Sequence, residues 1–212
     1  MIDFALMNQY LYDGKAKEVG RMTAEALAEG IPVEKVLAEG LIAGMSVVGE
    51  DFKHNILYVP EVLIAARAMK TGMAILKPLL EASSEASQSK GVLLMGTVKG
   101  DLHDIGKNLV CMMAEGAGFE VVDMGVDQSV EKYIAAAKMY NPAILGMSAL
   151  LTTTMPYMKK VIEVFQEDEA LKNIKLTVGG APISDIYAEE IGADGYGADA
   201  SSAVEMFLKM VG

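Results

Sequence analysis

The chain has 212 residues, of which 52% are hydrophobic, so it is long enough and apolar enough to bury one or two cores. Its 29 acidic residues outnumber its 18 basic residues, and the net charge of -11 argues against a nucleic-acid-binding protein, because phosphate contacts need a basic surface. The single cysteine, Cys111, excludes an internal disulfide, and the absence of a signal-peptide pattern and of an apolar run of about 18 residues predicts a cytoplasmic protein with no membrane partner.

Residues 1–88 show helical periodicity along their whole length. Apolar side chains recur every three or four positions in four segments, at about 2–12, 15–27, 33–52 and 60–76. Gly14 and Gly30 follow the first two segments, and Pro32 suits a first helical turn. Four helices with short connections predict an antiparallel four-helix bundle.

A polar, serine-rich stretch separates the bundle from the rest of the chain. Residues 81–90 carry no apolar stripe and are typical of a linker. We therefore predict two domains, 1–88 and 91–212, joined by a segment that lets the bundle swing.

From Gly91 onwards, short apolar runs alternate with amphipathic segments. Strands are predicted at 92–95, 120–123, 143–147, 176–178 and around 195–196, with helices near 106–117, 129–140, 153–167, 183–191 and 201–210. This alternation predicts an α/β domain with a doubly wound, five-stranded parallel sheet, as in flavodoxin-like (Rossmann-like) folds. In the strand order 2-1-3-4-5, the loops that leave strands one and three flank one crevice.

The loop after the first predicted strand carries one of the two histidines. It reads Gly100-Asp101-Leu102-His103-Asp104-Ile105-Gly106-Lys107-Asn108. Aspartate and asparagine before a helix are also ordinary caps, and for this loop alone that interpretation stays open. An imidazole two residues after a carboxylate can bind a partner through one ring nitrogen while the carboxylate holds the other. Gly106 leaves room where a bulky group would approach the helix.

Two further elements follow this loop at a defined spacing. After Gly106, 41 residues precede Ser148-x-Leu150, and 28 more precede Gly179-Gly180. The three elements together resemble the cobalamin-binding domain of the corrinoid methyl-transfer proteins and of methionine synthase. The run from Gly96 to Asn108 is most similar to the methyl-transfer branch.

This resemblance implies a role for each part of the site. His103 would be the lower axial ligand of cobalt, and Asp101 would accept its other N–H. Ser148 would extend that hydrogen-bond chain, and proton uptake by it would favour the cobalt state that lacks a lower ligand. The other residues expected to contact the cofactor are Gly100, Asp104, Ile105, Gly106 and Leu150, Thr152 beside the cofactor's own base, Gly179, Gly180 and Ala181 around its nucleotide tail, and Gly195, Gly197 and Ala198 at the tail's exit. No residue is expected to be catalytic.

The helical half also resembles that family, whose cobalamin domains follow a helical cap domain. The matching stretches are Tyr58–Val62 and Ala65–Met69. Val62, Ala66 and Met69 would either cover the upper face of the corrin or form plain bundle core. The second histidine, His54, is expected to be a surface residue.

The implied function is that of a methyl carrier that is not catalytic alone. Its cofactor would be cobalamin, as methylcobalamin or a related corrinoid, together with its cobalt. The chain is too short for an additional catalytic barrel of about 250 residues, so the partners would be separate chains. The expected partners are a substrate-specific methyltransferase subunit, a second methyltransferase that passes the methyl group to tetrahydrofolate or a thiol carrier, and a reductive activator.

Three alternative functions share parts of this pattern. The small subunit of an adenosylcobalamin-dependent mutase has the same Asp-x-His-x-x-Gly motif, but lacks a cap bundle of this kind. A cobalamin-sensing regulator would need a DNA-binding element, which neither the charge nor the pattern supplies. A flavodoxin-like or receiver domain without a corrinoid would not need the combined motif. The methyl donor stays open, because carriers of this pattern serve methanol, methylamines, betaines and methoxylated aromatics.

Overall fold

A computed structural model describes residues 2–82 and 90–212 of the chain. The chain splits into two compact units: Met1–Ser89 with Gly116–Gly118, and Lys90–Glu115 with Phe119–Gly212. The linker predicted at 81–90 falls largely on residues 83–89, which lie outside the described residues, while Glu81 and Ala82 still belong to a helix. No helix within 2–82 and 90–212 is long and apolar enough to span a membrane.

The first unit is helical, as the sequence predicted. Its helices are α1 (Phe4–Tyr12), α2 (Ala16–Ala28), α3 (Val33–Lys35), α4 (Ala43–Lys53) and α5 (Val59–Ala82). A π-helical segment, Val36–Ile42, joins α3 to α4 without a break, so these three elements form the third of the four predicted helices. Asp3 caps α1 by accepting the backbone N–H of Leu6 at 3.1 Å.

The apolar stripes of these helices form the core of the first unit. Met7, Leu11, Val19 and Leu41 are fully buried. We expected three residues either to cover the corrin or to form bundle core: Val62, Ala66 and Met69. All three are buried, as residues of a bundle core must be.

The second unit is a five-stranded parallel sheet with helices between the strands. The strands are β1 (Val92–Thr97), β2 (Glu120–Asp123), β3 (Ile144–Ser148), β4 (Lys175–Gly179) and β5 (Gly195–Gly197), in the order β2-β1-β3-β4-β5. The helices are α6 (Ile105–Gly116), α7 (Val130–Tyr140), α8 (Pro156–Glu167), α9 (Asp185–Glu190) and α10 (Ala200–Val211). The predicted fold class and strand order are therefore confirmed.

The register of the sheet brings the strand ends to one edge. Thr97 of β1 pairs with Ser148 of β3, Ser148 pairs with Gly179 of β4, and Gly179 pairs with Gly197 of β5. Since all four strands are parallel and end together, the loops that follow them leave from the same edge, which is where α/β sheets of this type bind ligands.

One face of the sheet carries a continuous apolar core. Leu94, Leu145 and Met147 lie on the strands and pack with Phe165 of α8 and Tyr133 of α7, all buried. Burying a side chain such as Phe165 stabilises a fold by about 1.5–3 kcal/mol. The near-continuous apolar strands are typical of a parallel sheet covered on both faces.

Candidate functional site

Asp101 is the centre of the candidate site, and it is fully buried. Its Oδ1 accepts the ring Nδ1–H of His103 at 2.7 Å and the backbone N–H of His103 at 3.0 Å. Its Oδ2 accepts the backbone N–H groups of Leu150 at 2.8 Å and Leu151 at 3.1 Å, and the Thr154 hydroxyl at 2.8 Å. A carboxylate held by donors from two loops is rigid, so the imidazole bound to it has a fixed direction.

Asp101 is ionised although it is buried. Burial pushes the pKa of its carboxyl group up, but the hydrogen bonds from the His103 and Leu150 backbone, the His103 ring and the Thr154 hydroxyl outweigh burial and hold the pKa well below its usual range. An ionised carboxylate only accepts hydrogen bonds, so Nδ1 carries the proton of the neutral imidazole. Nε2 then keeps its lone pair, which is the tautomer that a metal ligand needs.

The Nε2 atom of His103 is available to an external partner. It has no hydrogen-bond partner among residues 2–82 and 90–212, and the side chain is 49% exposed. No group of three or more His, Cys, Asp or Glu side chains in this part of the protein is placed to hold a metal ion. The geometry of His103 is compatible with a single imidazole ligand to a metal, such as the cobalt of a corrin ring, whose other ligands the corrin would supply.

The second histidine has a different environment. His54 follows α4, its side chain is 60% exposed, and its Nε2 lies 2.8 Å from Glu50 Oε1. This is the surface position that the sequence predicted. His54 thus serves as a reference residue for tests of His103.

The hydroxyl that extends the hydrogen-bond chain beyond Asp101 belongs to Thr154, not to Ser148 as we expected. Thr154 is buried, and its Oγ1 lies 2.8 Å from Asp101 Oδ2 and 2.8 Å from the Leu151 carbonyl oxygen, so its single proton can serve either acceptor. Ser148 is the last residue of β3 and is half-buried. Thr154 could not be identified from the sequence, because Thr152, Thr153 and Thr154 are adjacent. Only the conformation of the turn before α8 brings the Thr154 hydroxyl to Asp101.

Two further features shape the histidine loop and were missed by the sequence analysis. The buried Thr97, at the end of β1, donates its hydroxyl to the His103 carbonyl oxygen at 2.9 Å. The Asp101 N–H donates to the Val98 carbonyl oxygen at 3.1 Å and closes a turn in which Gly100 has a φ of +83°. A positive φ at this position favours glycine, so Gly100 has a conformational role.

The remaining predicted contact residues surround this edge of the sheet with different degrees of burial. Exposed members are Asp104, Ile105, Gly106, Leu150, Thr152, Ala181 and Ala198, half-buried members are Gly179 and Gly180, and Gly197 is buried. Leu102 and Ile105 in the histidine loop are 72% and 79% exposed, and Leu150 and Leu151 after β3 are 43% and 41% exposed. Apolar side chains left in solvent beside the exposed His103 imidazole suit a large, flat, largely apolar ligand.

The glycines after β4 and β5 are required by the packing of the chain itself. Gly180 has a φ of +129°, and a Cβ there would overlap the carbonyl oxygen of Ala149. A Cβ on Gly197 would lie 2.7 Å from the Cβ of Ala203 in α10. Contact of these glycines with a nucleotide tail stays a prediction.

Two family models match the chain, and both are described as B12 binding domains, one over residues 91–205 and the other over residues 5–77. A corrinoid protein of Desulfitobacterium hafniense (strain Y51) is 39% identical over 207 residues, which cover 97% of this chain and 96% of that protein. The dimethylamine corrinoid protein 1 of Methanosarcina acetivorans is 44% identical over 170 residues, covering 80% of this chain and 79% of that protein. The chain belongs to the corrinoid protein family.

A solved structure supports the same assignment. The crystal structure of the methanol:cobalamin methyltransferase complex of Methanosarcina barkeri contains a chain that matches with a TM-score of 0.86 and 28% identity, over 97% of this chain and 78% of that one. The predicted cofactor, a cobalamin or related corrinoid, is confirmed by membership in this family. The relatives do not favour the mutase subunit or the regulator, and the B12-binding match contradicts a flavodoxin-like domain without a corrinoid.

Proposed function

We propose that this chain of the corrinoid family carries a methyl group on the cobalt of its bound corrinoid between two methyltransferase subunits. The observation that carries the proposal is the His103 imidazole, whose Nδ1 is held by a buried, ionised Asp101 and whose Nε2 bonds to no group within residues 2–82 and 90–212. When bound, the corrinoid supplies a cobalt centre that accepts and releases a methyl group. The chain supplies a directed lower ligand and a proton site beside it.

The residues proposed to hold the corrinoid lie in the second unit. His103 would bind cobalt through Nε2, in place of the cofactor's own base. Gly100, Asp104, Ile105, Gly106, Ser148, Leu150 and Thr152 would contact the cofactor near the histidine, and Gly179, Gly180, Ala181, Gly197 and Ala198 would border its nucleotide tail. They occupy the ends of β3, β4 and β5, the first turn of α6 and the loops that leave this edge of the sheet, which supports a shared ligand.

The Asp101–His103 pair can store a proton without moving. When Nε2 is not bound to metal it can accept a proton, while Nδ1–H stays on Asp101 Oδ1. The resulting imidazolium lies beside a negative charge, and the donors on Oδ2 from Leu150, Leu151 and Thr154 keep that charge in place. Release of the lower ligand is thus coupled to proton uptake by residues of this chain.

A methyltransferase partner is supported by the match to a chain of the methanol:cobalamin methyltransferase complex. The second methyltransferase, acting on tetrahydrofolate or a thiol carrier, and the reductive activator are proposals from the family resemblance. Relatives at 42% and 44% identity are named as trimethylamine and dimethylamine corrinoid proteins, so we propose methylated amines as the donors to test first.

The test of this function uses the His103→Ala variant, with His54→Ala as its matched control. Both variants remove one imidazole, but His54 lies on the exposed end of a helix and pairs with Glu50. After reconstitution with hydroxocobalamin, the visible spectrum and the rate of cofactor loss are measured. We expect His103→Ala to lose the signature of a protein nitrogen on cobalt and to release the cofactor about 10–100-fold faster, and His54→Ala to match the wild type.

A spectrum of His103→Ala identical to that of the wild type would remove His103 as the ligand. The carrier role is tested separately by adding a purified methyltransferase of the methylamine class and its donor. Stoichiometric methylation of the bound corrinoid supports the carrier role. Cofactor binding without methylation by methylamine, methanol, betaine or methoxyaromatic systems would contradict it.

A further inference from the structure

Asp127, in the loop after β2, is tied directly to the histidine loop. Its Oδ1 accepts the backbone N–H of Gly100 at 2.8 Å, and its own backbone N–H donates to the Asp101 carbonyl oxygen at 3.1 Å. The two loops are 27 residues apart in sequence at this contact. Asp127 therefore holds the residue before Asp101 with its side chain and Asp101 itself with its backbone.

The backbone of Asp127 is in an unusual conformation. Its φ is +54°, in the left-handed region that non-glycine residues seldom adopt, although aspartate tolerates it better than most. The Gly100 that it contacts has a φ of +83°. Gly100 adopts this region without steric cost, whereas for Asp127 the conformation costs energy and persists where the surrounding structure requires it.

The loop that carries Asp127 is itself anchored at its base. The buried Lys107 of α6 donates through Nζ to Asp123 Oδ1 at 2.5 Å, and the Gly125 N–H donates to the same oxygen at 2.8 Å. The Gly125 carbonyl oxygen in turn accepts the Thr97 N–H at 3.0 Å. Asp127 thus projects from a loop that is fixed to both α6 and β1.

We propose that Asp127 is a positioning residue of the corrinoid site, which fixes the turn that presents Asp101 to His103. The proposal rests on the proposed function, in which His103 is the lower ligand. The Asp101 carboxylate is fixed by the loop after β3, through Leu150 and Thr154. Its backbone is fixed from the opposite side by Asp127. With both the carboxylate and the backbone of Asp101 held, the direction of the imidazole is defined.

The experiment compares two substitutions at Asp127 with one matched control. Asp127→Gly removes the carboxylate that accepts the Gly100 N–H. Because a positive φ costs glycine nothing, the substitution introduces no backbone strain. Asp127→Asn keeps an oxygen acceptor in a residue that also tolerates the left-handed region. The control is Asn141→Gly, at the end of α7, because Asn141 is also left-handed, with a φ of +45°, but lies away from the histidine loop.

Three quantities are measured in each full-length variant. The exchange rate of the Gly100 amide is measured by NMR in the apo-protein. Cofactor release is measured after loading with hydroxocobalamin, and the fraction of cobalt(II) bound to histidine is measured by electron paramagnetic resonance with heavy-nitrogen-labelled histidine.

We expect Asp127→Gly to speed Gly100 exchange, to lower the histidine-bound fraction and to speed cofactor release about tenfold, the lower end of the effect of outer partners of metal ligands. Asp127→Asn should restore all three quantities, and Asn141→Gly should leave them unchanged. An unchanged histidine-bound fraction in Asp127→Gly, or an equal loss in Asn141→Gly, would overturn the positioning role alone. A wild-type signal that shows no histidine nitrogen would overturn the proposed function, and this inference with it.

Discussion

Asp101 combines full burial with a negative charge, a state that a protein interior tolerates only when hydrogen bonds replace water. Both of its oxygens are used, one by His103 and the other by the loop after β3. The hydrogen bonds that offset the cost of burying the charge also fix the direction of the His103 imidazole. The same hydrogen bonds also make the stability of the fold depend on pH.

The first prediction concerns this dependence on pH. Folding lowers the Asp101 pKa, so the ionised side chain stabilises the fold above its unfolded pKa of about 4. That stabilisation is lost as the pH falls from about 4 through the lower pKa of the folded state. We expect the free energy of unfolding of Asp101→Asn to lie below that of the wild type near neutral pH, and the gap to shrink in acid. Urea unfolding of the wild-type and Asp101→Asn apo-proteins between about pH 7 and pH 3 measures this difference in unfolding free energy. A difference that does not change with pH would contradict the prediction.

Thr154 supports the second prediction at this scale. Thr154→Val removes the hydroxyl that donates to Asp101 Oδ2 while nearly keeping the volume of the side chain. Hydrogen bonds to charged groups are worth about 1.5–3 kcal/mol, so we expect a loss of unfolding free energy in that range. Thr153→Val is the control, because Thr153 is exposed and a surface change is expected to stay within about 0.5 kcal/mol. Equal effects of the two variants in urea unfolding would show that the Thr154 hydroxyl is not bonded to Asp101.

At the scale of secondary-structure elements, the ion pair between Lys107 and Asp123 joins α6 to the end of β2. The Lys107 side chain is 1% exposed, whereas that of Asp123 is 43% exposed. The two partners are therefore not equivalent. Removing the carboxylate leaves a buried ammonium whose one remaining acceptor, among residues 2–82 and 90–212, is Asn108 Oδ1. Removing the ammonium instead leaves a carboxylate that water can reach.

The third prediction follows from this asymmetry. We expect Asp123→Ala to lower the free energy of unfolding by about 2–4 kcal/mol, below the full cost of a completely buried pair, and Lys107→Met to cost less. Glu25→Ala is the control, because Glu25 forms an exposed pair with Arg21 and should lose about 1 kcal/mol or less. Urea unfolding of the three variants ranks their losses of unfolding free energy. A larger loss for Lys107→Met than for Asp123→Ala would refute the argument.

The elements themselves follow closely from local patterns. β2 begins and ends where the apolar alternation predicted, at Glu120 and Asp123. The beginning of α8 was placed too early, at 153, because Thr152–Thr154 continue the helical periodicity; the structure starts the helix at Pro156, where proline suits the first turn. The π-helical segment Val36–Ile42 was not predicted, because its apolar residues Val36, Leu37 and Leu41 also fit the α-helical stripe of the third predicted helix.

At the scale of the whole molecule, the charge of -11 supports the fourth prediction. An acidic chain repels the phosphate backbone of DNA, and low salt strengthens this repulsion because screening is weak. We expect no binding to a mixed-sequence duplex by fluorescence anisotropy at low salt, for the apo-protein or the corrinoid-loaded protein. A basic DNA-binding protein measured on the same duplex serves as the positive control. Saturable binding by this chain would return the cobalamin-sensing regulator to consideration.

By itself, the sequence determined the helical first half, the strand order of the second half and the pairing of Asp101 with His103. The helical half and the Asp101–His103 pair depend on local periodicity and on two side chains only two residues apart, so neighbouring residues are enough to specify them. The strand order followed instead from the order common to flavodoxin-like folds. The cofactor was predicted from the resemblance of three short motifs, in their order and spacing, to the corrinoid methyl-transfer proteins.

Only the tertiary structure decided which distant groups complete the site. Asp101 meets Thr154 across 53 residues, Gly100 meets Asp127 across 27, and Lys107 meets Asp123 across 16. Each of these partners lies on a loop or at a strand end, and no local pattern marks it. The register of the parallel sheet brings the loops after β1, β2 and β3 to one edge. There the Thr154 hydroxyl reaches the Asp101 carboxylate, and the Asp127 carboxylate reaches the Gly100 N–H.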